Sequence, residues 1–73
     1  MLVGDFIYND NFDVNCNVAV YDCTEDDVDW HTAEKIYETF VNKSKPLDKI
    51  FDMKIKYITL DVDNMTIVVE ATR

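Results

Sequence analysis

Residues 30–41, WHTAEKIYETFV, decide how the rest of the chain is arranged. Trp30, Ala33, Ile36, Tyr37, Phe40 and Val41 recur at the spacing of one helix face, while His31, Glu34, Lys35, Glu38 and Asn42 fall on the other. That pattern predicts an amphipathic helix. Two starts are open to it. Thr24 with Asp27 has the form of a capping box, with Cys23 and Val28 as its hydrophobic staple. Asp27 or Asp29 as N-cap leaves Val28 outside the helix and fits the phase of the apolar stripe better. The helix is expected to stop before Lys45, because Pro46 biases its predecessor away from the helical region.

Working outward toward the N-terminus, Val14, Cys16, Val18 and Val20 alternate with Asn15, Asn17, Ala19 and Tyr21. A period of two over 14–21 predicts a strand with one buried face. Residues 2–8, LVGDFIY, are apolar, β-branched and aromatic enough for another strand, ended by the turn-prone Asn9, Asp10 and Asn11. A hairpin through NDNFD, residues 9–13, joins the two. Toward the C-terminus, Pro46 opens a short helical turn in which Leu47, Ile50 and Phe51 share a face. Residues 53–60 and 65–71 read as two more strands, with Asp61, Val62, Asp63 and Asn64 as the turn between them. The expected fold is α+β with the order ββα(α)ββ: a four-stranded, mainly antiparallel sheet packed on one face by a helix. Residues 1–73 are expected to form one small domain.

A hydrophobic content of 48% with one glycine and one proline excludes a disordered or low-complexity chain, despite a net charge of −8. The charge is unevenly placed. Met1 to Glu34 holds nine acidic residues and no lysine or arginine, whereas Lys35 to Arg73 holds six acidic and seven basic ones. The first half therefore carries the whole excess. Its field would repel a polyanion, so direct binding to nucleic acid is not expected. The opening MLVGDFIYND has no basic residue and no long apolar run, and no stretch approaches the length of a membrane span. The expectation is a cytoplasmic protein with no membrane association and with reduced thiols.

Few residues suggest chemistry. The acidic run Asp22, Glu25, Asp26, Asp27 and Asp29, with His31 just after it, has three readings. It can cap and charge-complement the following helix, hold a hard cation such as Mg²⁺ or Ca²⁺, or face a partner. Asp61 to Asn64 with Glu70 resembles a calcium loop only superficially, since no central glycine permits the sharp turn. Cys16 belongs to a buried stripe, and Cys23 has Asp22, Glu25 and Asp26 beside it to oppose a thiolate. No GxGxxG, GxxxxGK[ST], HExxH or GxSxG pattern is present, so neither a catalytic site nor a cofactor is expected. Tyr21, Asn15 and Asn17 lie on the polar side of their strand and make a candidate contact face.

The segment Phe12, Asp13, Val14, Asn15 before an alternating strand, with Ile55, Lys56, Tyr57, Ile58 and Thr59 near the end, resembles short uncharacterised proteins of phages and conjugative elements. The resemblance spans about half of the chain and implies a mobile genetic element as the type of genome. The leading expectation is a small acidic, non-enzymatic interaction protein. Its partner is a protein with a basic surface, met through Asp22, Glu25, Asp26, Asp27, Asp29, Glu34, Tyr21, Asn15 and Asn17. A sharper version is a DNA-mimicking inhibitor of a nucleic-acid-binding enzyme, which the resemblance favours. The alternatives are a metal- or small-molecule-binding domain built on Asp22 to Asp29 and His31, and a self-associating homo-oligomer.

Overall fold

The structure is a computed structural model and describes residues 1–7, 16–42 and 46–73. Its elements run α1 (Val3–Ile7), β1 (Asn17–Asp22), β2 (Glu34–Glu38), α2 (Thr39–Asn42), α3 (Asp48–Phe51), β3 (Lys54–Asp61) and β4 (Thr66–Thr72). The four strands form one sheet in the order β2-β1-β4-β3. The outer pairings β1/β2 and β3/β4 are antiparallel, and the central pair β1/β4 is parallel. The expected α+β class and mostly antiparallel sheet are present, but two of the elements exchange character.

The first exchange is at 2–8, expected as a strand. Leu2 makes a single bridge to Lys54, and the chain then turns into α1. Val3 and Ile7 lie one turn apart and are both buried, and Asp5 reaches back so that its Oδ2 accepts the Leu2 N–H at 3.0 Å. A carboxylate at the third helical position satisfies a free N–H of the first turn in this way. The apolar, β-branched and aromatic content of LVGDFIY was thus compatible with a helix face spaced by four. The expected hairpin turn at 9–13, with Val14 and Asn15, lies outside the described residues.

The second exchange is at 30–41. Residues 30–33 are turns, Glu34–Glu38 is strand β2, and only Thr39–Asn42 is helical. Val20 faces Tyr37 and Ala19 faces Glu38, so the peptide groups of this stretch bond to β1 and not to each other. Composition explains the outcome. Trp30, His31, Thr32, Ile36, Tyr37, Thr39, Phe40 and Val41 are weak helix formers, most of them suited to a pleated surface. Of the predicted apolar stripe only Tyr37 is buried, while Phe40 and Val41 stand 56% and 70% exposed.

One core remains, on the sheet face carrying Val18, Val20, Tyr37, Val69 and Ala71, closed by Val3 and Ile7 of α1, Ile50 of α3 and Met53. The single face-covering helix that was expected is replaced by α1 and α3. They meet at Gly4, where an added Cβ would lie 3.3 Å from the Phe51 ring. The β3/β4 hairpin forms as expected, with Met65 supplying the positive φ of 50° that the turn requires in place of a glycine. Among the described residues, no helix is long and apolar enough to cross a membrane.

Candidate partner-binding surface

β1 and β4 run parallel and finish together, and at that end the chain leaves β1 for the long connection to β2. The ladder continues one residue past the strand, as the Cys23 N–H donates to the Ala71 carbonyl at 2.7 Å. Three anchors hold the connection. Asp22 Oδ1 accepts the hydroxyl and N–H of Thr24 at 2.6 and 3.2 Å, while its other oxygen lies 3.4 Å from Arg73 Nη2. The Thr24 hydroxyl, helped by Arg73, holds the Asp22 carboxyl below the usual carboxylate range. Asp29 closes a turn, its Oδ1 accepting the His31 N–H at 3.0 Å and its carbonyl accepting those of Thr32 and Ala33. Trp30 donates its N–H to Glu70 Oε1 at 2.8 Å and packs its ring 5.8 Å from that of Tyr21 and 4.0 Å from that of His31.

Between the first anchor and the second, Glu25, Asp26 and Asp27 are exposed on a turn closed by the Val28 N–H on the Glu25 carbonyl. Among the described residues, no ion pair or side-chain hydrogen bond engages the carboxylates of Glu25, Asp26, Asp27 or Glu34. Asp26, Asp27 and Asp29 line a cleft of about 300 Å³ together with Glu70, Lys56 and Tyr57. Lys56 is the cation of that cleft, and its Nζ is committed to the Cys23 carbonyl at 3.1 Å. On the other side of the loop, Glu25 and Glu34 line a second cleft with Asp22 and Arg73. Asp22 and Glu34 are cross-strand partners, and a like-charged pair so placed is tolerable with Arg73 beside it.

Six of the nine residues singled out from sequence therefore sit at one end of the sheet, but in two roles. Among the described residues Glu25, Asp26, Asp27 and Glu34 have no side-chain partner, whereas Asp22 and Asp29 are spent on fixing the loop. The helix-capping reading is overturned, since no helix follows the run and the carboxylates that cap do so for turns. Asn17 is corrected as well: it is buried, not part of a polar contact face. Its Nδ2 donates to Glu38 Oε2 and to Thr66 Oγ1, and its Oδ1 accepts the Phe40 N–H at 3.1 Å. The chain turning into α2 closes that part of the face over Asn17. Tyr21 is half-buried beneath Trp30, and Asn15 lies outside the described residues.

Sequence reasoning missed Glu70, Trp30, Lys56, Tyr57 and Arg73, all brought here by strand pairing from 30 or more positions along the chain or from the misassigned helix. Cys23 reaches the cleft, in surroundings that disfavour its thiolate. Burial, and then the neighbouring Glu70, push its thiol above the ordinary range. Cys16 and Cys23 are both free thiols, and Cys16, expected in the buried stripe of its strand, is only half-buried just before β1. Among the described residues, no three His, Cys, Asp or Glu side chains converge in a way that could hold a metal ion.

Compared with known protein families, curated proteins and solved structures, the chain gives no match.

Proposed function

We propose that this protein works by binding, and that its partner is a protein with a basic surface docking on the β1–β2 connection. What supports the reading most is the group Glu25, Asp26 and Asp27, exposed and, among the described residues, without an ion pair, on a loop that three anchors hold in place. Loop carboxylates that are unpaired but held set up a local negative field without the entropy loss of ordering a free segment on binding. Tyr57 lines the same cleft as Asp26 and Asp27 and offers apolar surface for the stems of lysine and arginine side chains. The remaining net charge would speed the encounter, and the effect would fall with salt.

The test is capture from the source cell with the wild-type chain and with Glu25→Lys, Asp26→Lys and Asp27→Lys combined. A partner that binds the wild type with an association rate at least about tenfold higher than the variant at low salt supports the reading. A partner held equally by both proteins removes it. Displacement of that partner by duplex DNA would narrow the surface to a DNA mimic.

A further inference from the structure

β3 is an edge strand, and only its beginning is covered. The Ile55 N–H donates to the Met1 carbonyl and the Val3 N–H to that of Met53, both at 2.9 Å, so the N-terminal residues cap the edge as far as Ile55. From Tyr57 to Asp61 no strand lies outside β3 among the described residues. This stretch is apolar and open: Tyr57 is 65% exposed, Ile58 43% and Leu60 63%. An uncovered edge of that composition is a template for another strand. Natural edges are usually blunted by a proline, a bulge or an inward charge. Here the bulge lies before Tyr57, leaving the remainder regular.

We propose that this edge pairs with the same edge of a second copy, antiparallel about a two-fold axis at Thr59, joining two four-stranded sheets into one of eight strands. Charge singles out a second copy as the occupant. Lys54 and Lys56 lead the strand, while Asp61 ends it and Asp63 follows in the turn. Antiparallel pairing sets the basic start of each copy beside the acidic end of the other, whereas parallel pairing would set like against like. The strand and its turn are also locally neutral in a chain of net charge −8, so two copies meet there with the least repulsion.

The side chains agree with that axis. Tyr57, Thr59 and Asp61 lie opposite Glu70, Val68 and Thr66 on one face, and Ile58 and Leu60 lie opposite Val69 and Ile67 on the core face. Centring on Thr59 places Ile58 beside the partner's Leu60, twice, extending each core across the junction. It also places Tyr57 beside the partner's Asp61. The acidic connections then occur twice per assembly, which multiplies weak binding to a repeated or elongated partner.

Sedimentation equilibrium on three proteins tests this. The wild type is expected to dimerise, and K54E/K56E and D61K/D63K, each like-charged along the whole edge, are each expected to weaken it by at least about tenfold. An equimolar mixture of the two variants restores the dimer, because each wholly acidic edge then lies along a wholly basic one. Should either variant fail to fold, Thr59→Cys decides: facing residues of an antiparallel pair have Cα atoms about 4.5–5.5 Å apart, within disulfide reach. Mild oxidation then yields a covalent dimer that the parent chain, with its own two cysteines, does not form. A wild type that stays monomeric to its solubility limit overturns the proposal. So does a dimer indifferent to both charge changes, or a Thr59→Cys chain that does not cross-link.

Discussion

At the scale of single residues, the side chain with the most structural consequence is Asn17. Its amide uses donors and acceptor together to tie β1 to β4, to β2 and to the first turn of α2. Asn17→Ala strands the Phe40 N–H in a part-buried setting and takes from Glu38 Oε2 its amide donor, and urea unfolding should show a loss of about 1–3 kcal/mol. Glu38 adds a pH dependence. Its hydrogen bond from Lys35, 2.7 Å away, and then that from Asn17, lower its carboxyl pKa, while the same contact raises that of Lys35. A lowered acid contributes stability above its unfolded value, about 4.3 for glutamate, and loses it as pH falls through the folded value. The Lys35 side of the pair is lost only as pH rises through its own raised value. Acid titration followed by circular dichroism should therefore show the wild type losing stability more steeply than Glu38→Gln below the ordinary carboxylate range. Equal slopes would mean that the pair does not form in solution.

At the scale of elements, 30–41 shows how a helix-like spacing can belong to a strand. The positions fit a period of 3.6, yet the residue types favour extended backbone, and β1 has a free edge to offer them. Tyr37 then packs in the core opposite Val20. Tyr37→Ala should cost about 3 kcal/mol or more, enough to unfold most of a domain this small. In an exposed-edge amphipathic helix the same change would cost far less. The amide I band should likewise be dominated by strand, since the described helices are single turns of four or five residues. Where propensity and period agreed, as in β1, α3, β3 and β4, the elements were legible from sequence. At 30–41 they disagreed and strand pairing chose; at 2–8 residue types stood without a period, and packing against α3 and the sheet chose a helix.

At the scale of the whole molecule, charge and smallness act together. Repulsion within a chain of net charge −8 opposes the compact state, and the whole excess lies in the half that supplies the acidic connection. The urea midpoint should rise as salt is increased from about 10 mM to about 150 mM, over which the Debye length shrinks from roughly 30 Å to 8 Å. The same salt should slow capture of a basic partner. A midpoint that does not move would mean that the carboxylates are spread too far apart to feel one another.

The sequence by itself determined the class of the fold, the hairpin at its C-terminal end, the burial of Val18 and Val20 in β1 and the half of the chain that bears the charge, but not the burial of Asn17 and Ala19 on the strand's other face. Those follow from composition and from neighbours within a few residues. Only the tertiary structure decided that β1 and β4 run side by side in parallel. That pairing brings Glu70 under Trp30 and Arg73 to Asp22, and so divides the acidic run into carboxylates that build the loop and carboxylates left free. The physical reason is range: a residue's intrinsic preference is local, but which backbone edge and which counter-ion it meets depends on partners some 40 to 50 positions away.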